Sequence, residues 1–238
     1  MTAPHFFAPD VSPDHITLEG EEARHAVRVL RIRPGEEITV SNGRGEVVTA
    51  TVTEAGATLD AEIRKRHTEP VPRPAVTVFA AIPKAGKLDL VVQKLTELGV
   101  DKIRPFPAER SVSRWDAKKA TAQTERLNAI AREAAKQSRR AWLPEVLAPE
   151  PLEKLDLPAS TFVLDEETEG GLRDLLPAEA PAEVGLIVGP EGGFTREEVA
   201  ALAGRGVTAA SLGPLVLRTE TAALVAAAVV GVRYGRLG

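Results

Sequence analysis

The run Leu217-Arg218-Thr219-Glu220-Thr221 sets a guanidinium, a carboxylate and two hydroxyls directly behind the apolar stretch Ser211-Leu212-Gly213-Pro214-Leu215-Val216. A cation in an apolar setting can stabilise an anion as it develops, and a neighbouring carboxylate can take a proton or orient the cation. Earlier in the chain, Leu186-Ile187-Val188-Gly189-Pro190-Glu191-Gly192-Gly193-Phe194 has the same grammar: an apolar strand, then a Gly/Pro turn, then a helix. Glycines at such a turn let a ligand approach the backbone, because no Cβ stands in the way. The pair suggests two neighbouring strands of one sheet presenting a common crevice.

The residue types narrow what that crevice holds. Gly189-Pro190-Glu191-Gly192-Gly193 does not match the G-x-G-x-x-G spacing of dinucleotide sites, and no Gly-Lys-Ser/Thr follows it. Pro190 also lacks the N–H that a phosphate cradle uses. Backbone groups in an apolar crevice suit a nucleoside such as adenosine instead. The chain has no cysteine, and its four histidines stand at 5, 15, 25 and 67. That excludes disulfides, thiolate metal sites and a histidine-based triad or structural zinc in the last third; no metal is expected. Thr195 and Glu198 fit a capping box, with Phe194 and Val199 as a hydrophobic staple, so the helix after the first turn has a defined start. Thr219 or Thr221 is placed to cap the last helix, Ala222 to Val232.

Charge is unevenly spread along the 238 residues. Residues 1–72 carry 8 Lys/Arg against 12 Asp/Glu, residues 73–143 carry 15 against 7, and residues 144–238 carry 7 against 15. A basic block in an acidic chain is a candidate polyanion surface, with solvated helix faces as the alternative. Arg132, Lys136 and Arg140 recur at i, i+4 and i+8, with Arg139 beside them, and Arg24, Arg28 and Arg31 likewise share a helix face. His25 and both tryptophans, Trp115 and Trp142, read as packing residues. No run of eighteen apolar residues exists and the start lacks a signal peptide's features, so the expectation is a soluble cytoplasmic protein with no membrane segment.

Two modules position these residues. Up to about residue 70 the pattern is mostly β, with a short helix over Glu21–Leu30 and a hairpin at Asn42-Gly43; it reads as a small β-barrel. His67-Thr68-Glu69-Pro70-Val71-Pro72-Arg73-Pro74 is a proline-rich linker. From residue 74 to 238 strands and helices alternate. The strands are Ala75–Ile82, Val100–Pro105, Ser160–Leu164, Val184–Val188 and Thr208–Leu212, and the helices include Leu88–Leu98 and Asp116–Arg140. The alternation predicts an α/β parallel sheet covered on both faces.

At this point six motifs bear on family. His25-Ala26-Val27-Arg28-Val29-Leu30-Arg31, Glu97-Leu98-Gly99-Val100, Glu109-Arg110-Ser111-Val112, Glu133-Ala134-Ala135-Lys136-Gln137-Ser138, Gly189–Phe194 and Leu217–Ala222 stand in the order found in RsmE-type ribosomal RNA methyltransferases. The chain resembles that family over nearly its whole length, the last two motifs being the most specific. Arg139 stands where members often have glycine.

The resemblance implies a SPOUT-type parallel sheet with a C-terminal trefoil knot in residues 74–238, preceded by a PUA-like β-barrel in residues 1–70. It also implies a homodimer that holds S-adenosylmethionine in the knotted loops. The cofactor-binding positions carried over are Leu164, Gly189, Glu191, Gly192, Gly193, Leu212, Gly213, Leu217, Thr219, Thr221 and Ala222; the RNA-binding ones are the basic residues above together with Arg110. The implied reaction is methylation of N3 of a uridine in the decoding region of 16S rRNA, as naked rRNA or in the assembled small ribosomal subunit. Arg218 is expected to stabilise the uridine anion. Glu220 acts as base or, the preferred reading, orients Arg218. A SPOUT enzyme acting on another RNA such as tRNA, or a non-catalytic RNA-binding assembly factor, is the alternative.

Overall fold

A computed structural model describes residues 3–83, 86–111 and 115–238; Val112 of the Glu109–Val112 motif and the first two residues lie outside them. The chain divides into two compact units, residues 1–71 with 135–143, and residues 72–134 with 144–238.

In the first unit, β1 (His5–Phe7), β2 (His15–Leu18), α1 (Gly20–Arg24), a π-helical turn (His25–Val29), β3 (Glu37–Ser41), β4 (Glu46–Ala55) and β5 (Leu59–Thr68) follow in sequence. The strands form one sheet in the order β1-β3-β4-β5-β2. The hairpin forms at the expected turn, where the Asn42 side-chain oxygen accepts from the N–H groups of Arg44 (2.8 Å) and Glu46 (3.2 Å). Phe6, Ile16, Leu18, Ile38, Val40, Val48 and Leu59 fill the core. The expected linker is shorter than read, because β5 runs through His67 and Thr68. Residues 135–143 join this unit although they stand far along the chain. Ala141 accepts from the Gly45 N–H (3.1 Å) and the Ser41 hydroxyl (2.8 Å), and Trp142 donates to the Glu69 carbonyl (3.2 Å). A Cβ on Gly45 would meet the Trp142 ring at 2.5 Å, so the glycine is what admits the indole.

The second unit is built from β6 (Ala75–Ala81), α2 (Lys87–Glu97), β7 (Lys102–Phe106), α3 (Ala117–Gln137, ending in the first unit), β8 (Glu145–Val146), a 3-10 turn (Leu152–Lys154), β9 (Ser160–Leu164), α4 (Leu172–Leu175), β10 (Glu183–Val188), α5 (Arg196–Ala203), β11 (Thr208–Ala210) and α6 (Thr219–Arg233). Its six strands run parallel in the order β11-β9-β10-β6-β7-β8. Alternate strand residues face opposite covers, as the two-residue period requires. Val76, Val78, Val184, Leu186 and Val188 pack with residues of α2, α3 and α6, whereas Phe79, Phe106, Val163 and Ile187 pack with Leu202 of α5 and with Leu152 and Leu155. Gly185 of β10 lies hard against Thr161 of β9, with no room for a Cβ. After α6, Arg236 donates to both carboxylate oxygens of Asp101 (2.8 and 3.0 Å), which binds the tail to the start of β7.

Helix α3 ends earlier than expected. The Arg140 N–H bonds the Ala135 carbonyl (2.9 Å) and the Arg139 N–H bonds that of Lys136 (3.1 Å), with Arg139 left-handed at φ 57°. This is a Schellman cap, whose left-handed position favours glycine. Arg140 therefore lies beyond the helix and does not continue the face of Arg132 and Lys136. Arg139→Gly should raise stability by about 1 kcal/mol, since a left-handed non-glycine residue costs roughly that much; urea denaturation reads it.

His5, 7% exposed, has Thr39 Oγ1 at 2.8 Å from Nδ1 and the Arg140 carbonyl at 3.2 Å from Nε2. The neutral ring fits this pair, its Nε2–H donating to the carbonyl while Nδ1 accepts from the hydroxyl. Burial lowers its pKa from 6.5 to about 4. A neutral buried histidine stabilises the fold fully above pH 6.5 and loses that contribution as pH falls through 4. On the order of 3 kcal/mol should disappear between pH 7 and pH 4, and His5→Asn should remove this part of the pH slope in urea denaturation.

Candidate active site

The three strands β9, β10 and β11 end on the same edge of the second unit, and the loops that leave them enclose one cavity of about 270 Å³. The two Gly/Pro turns do not come from adjacent strands, as the sequence suggested; β9 lies between β10 and β11. The β9 loop therefore forms a third wall, with Asp165 and Glu166 lining it. Its Asp165 N–H bonds the Ala210 carbonyl (3.1 Å) and its Gly170 carbonyl accepts from Ser211 (2.7 Å), tying the outer loops together. Sequence reasoning missed these carboxylates, although strand ends in a parallel sheet are where ligands bind.

Leu164, Gly189, Glu191, Gly193, Leu212, Gly213, Leu217, Thr219 and Ala222 line the cavity together with Arg218. Gly192, Thr221 and Glu220 do not. Gly192 turns outward: its carbonyl accepts from Arg110 (2.9 Å), and a Cβ there would meet the Arg110 side chain at 3.4 Å. The close-approach glycine is Gly189, whose Cβ would meet the Phe194 ring at 2.9 Å. Phe194 in turn stacks on Phe106, with centroids 6.3 Å apart and planes 4° from parallel. Gly193 (φ 66°) and Gly213 (φ 118°) supply the left-handed bends of the two turns. The capping box forms as read: the Glu198 N–H donates to Thr195 Oγ1 (3.1 Å) and the Thr195 N–H to Glu198 Oε2 (2.9 Å).

At the other wall, α6 begins at Thr219, not at Ala222. Arg218 occupies the N-cap position and no side chain caps the helix, so neither threonine serves as expected. The free N–H groups of this first turn carry the positive end of the helix dipole. The Arg218 guanidinium is exposed and makes no hydrogen bond or ion pair among the described residues. Glu220 does not bond to it. The Glu220 carboxylate instead lies 3.4 Å from Lys87 Nζ, which is also 3.2 Å from Glu191. The lysine pKa is raised, chiefly by the Glu191 hydrogen bond. Lys87 escaped the sequence reading because no spacing links residue 87 to residues 191 and 220.

The basic residues do not form one stripe. Arg24 and Arg28 are exposed on the helical segment, but Arg31 lies past its end at φ 56°. Lys136 is drawn into a largely buried ion pair with Glu22 at 2.8 Å. Arg132 and Arg140 are half-buried, Arg140 Nε donating to the Trp142 carbonyl (3.0 Å); Arg139 is exposed.

A parallel α/β sheet with a strand-end cavity, joined to a small β module, agrees with family comparison. Residues 69–231 match the RNA methyltransferase domain and residues 18–62 the RNA methyltransferase PUA domain, which defines the class. The ribosomal RNA small subunit methyltransferase E of Mycobacterium tuberculosis is 38% identical, over 97% of this chain and 92% of the relative. That of Bacillus subtilis is 32% identical, over 88% and 87%. The crystal structure of a ribosomal RNA small subunit methyltransferase E from Neisseria gonorrhoeae bound to S-adenosyl methionine superposes with a TM-score of 0.86, at 30% identity and 98% coverage of both chains. The chain belongs to the ribosomal RNA small subunit methyltransferase E family.

Because Gly189, Phe194 and Phe106 interlock, Gly189→Ala should displace the Phe194 ring and cost about 1–3 kcal/mol, as overpacking does. Urea denaturation measures the loss, and Gly192→Ala, which faces only the flexible Arg110, should leave stability within about 0.5 kcal/mol.

Proposed function

We propose that this chain transfers the methyl group of S-adenosylmethionine to N3 of a uridine in the decoding region of 16S rRNA, working in the cytoplasm as a homodimer. The observation that carries the proposal is the convergence of three strand-end loops, and the uncapped start of α6, on one cavity in a member of this family. The reading includes the C-terminal knot that the family resemblance implies. Leu215 and Val216, 75% and 82% exposed, and Val232 at 66% supply apolar surface for a second subunit.

The cavity suits the donor. Leu164, Leu212 and Leu217 give apolar walls for a purine. Of the three lining carboxylates, Glu191 pairs with Lys87 and Asp165 with Arg196 (3.5 Å), which leaves Glu166 to face a positively charged ligand. When bound, S-adenosylmethionine supplies an electrophilic methyl on a sulfonium.

The chain's own residues then have separable tasks. Uridine N3 must pass its proton to a base, solvent water included, as it forms the bond to the methyl carbon and the carbon–sulfur bond of the sulfonium breaks, so negative charge develops on the uracil ring. Arg218 at the cavity rim, without an internal partner, stabilises that charge. The loops exclude water and fix the approach of the nitrogen, which supplies much of the rate. Glu220 is turned to Lys87 and away from Arg218, and its role is to hold that lysine beside Glu191.

Arg218→Ala should lower methyl transfer by at least about a hundredfold while S-adenosylmethionine affinity by calorimetry stays within about threefold of the wild type; loss of donor affinity would make Arg218 a binding residue instead. The wider proposal is tested by incubating the chain with small ribosomal subunits, naked 16S rRNA or total tRNA, each with labelled donor, then mapping the modified nucleotide by mass spectrometry. Methyl on a decoding-region uridine N3 is expected; methyl on tRNA alone, or none, overturns it.

A further inference from the structure

The helical segment after β2 winds against its own sequence. Ala26 and Val27 pack in the core of the first unit and Ala23 is buried, and an unbroken α-helix would set Leu30 on the side of these residues, at i+4, i+3 and i+7. The backbone instead widens into the π turn His25–Val29, with the Leu30 N–H on the His25 carbonyl at 3.0 Å. Arg31 then turns left-handed and Ile32, 5% exposed, takes the core position in place of Leu30. Val29 and Leu30 are left 65% and 44% exposed. Both devices are disfavoured in ordinary backbone and concentrate at functional sites.

Around this knuckle stand Arg24, Arg28, Arg31 and Arg33, all exposed and without an ion pair among the described residues. A protein partner offering only apolar surface would leave four guanidinium groups unpaired. Single-stranded RNA meets both demands, because its phosphates pair with arginine and an unstacked base offers an apolar face. We infer that the Val29–Leu30 knuckle receives the face of an unstacked base of single-stranded rRNA, gripped through its flanking phosphates by the surrounding arginines. The inference rests on the functional reading above and deepens it by naming unpaired nucleotides as what the first unit holds.

The test compares the full chain with its Val29→Ser/Leu30→Ser variant for binding to a decoding-region 16S rRNA fragment with unpaired nucleotides, and to the same sequence fully duplexed. Losing the apolar contact should weaken fragment binding roughly tenfold at an unchanged salt slope, and leave duplex binding as it was. Arg28→Ala should instead lower the slope of log affinity against log salt by about 0.7, one single-strand phosphate contact. Undiminished fragment binding by the serine variant overturns the inference, as does a changed sedimentation coefficient of the chain alone, which would make the knuckle a contact between copies. If the wild type methylates small subunits while the serine variant binds normally, only the knuckle falls. If the wild type neither binds nor methylates them, the functional reading falls with it.

Discussion

The position of β9, hydrogen-bonded on one side to β10 and on the other to β11, is the constraint from which the rest of the candidate site follows. Chain order would let β10 and β11 pair directly. With β9 between them, their two glycine turns face each other across a third loop, and the slot gains a third wall. The insertion depends on local sequence: Gly185 lets β10 approach Thr161 of β9, and the parallel register carries Val163 and Leu164 level with Ile187 and Ala210. The aromatic pair Phe106 and Phe194 then fixes the height of the β10 turn against the sheet, through the one glycine that can accommodate it.

Much of this was legible in the residues because it is written in short-range periodicity. The continuous apolar runs announced strands covered on both faces, and five of the six second-unit strands stand where they were read; two-residue β8 is too short to carry a pattern. The capping box and the Asn42-Gly43 turn are local chemistry, and both formed as expected. What stayed hidden depends on contacts between distant residues. Neither the insertion of β9, the Lys87 bridge to Glu191 and Glu220, nor the union of residues 135–143 with the β module leaves a local trace.

The misread helix ends share a physical cause. Extending α3 to Arg140 and placing Arg31 on the face of Arg24 and Arg28 both assumed that a helical pattern continues until glycine or proline stops it. In both places an arginine occupies the left-handed position where a glycine would have been the visible stop. Arg139 does so at φ 57°, at the end of α3, and Arg31 at φ 56°, past the π turn.

The charge cluster of Lys87, Glu191 and Glu220 spans two walls of the second unit. One ammonium is shared by a carboxylate on the β10 turn and one on the first turn of α6. Replacing the lysine removes a side chain that touches both. With the lysine one-third exposed, counterions reach the cluster and screen it. The grip between those two walls thus slackens with ionic strength, making the medium itself a partner in the shape of the site.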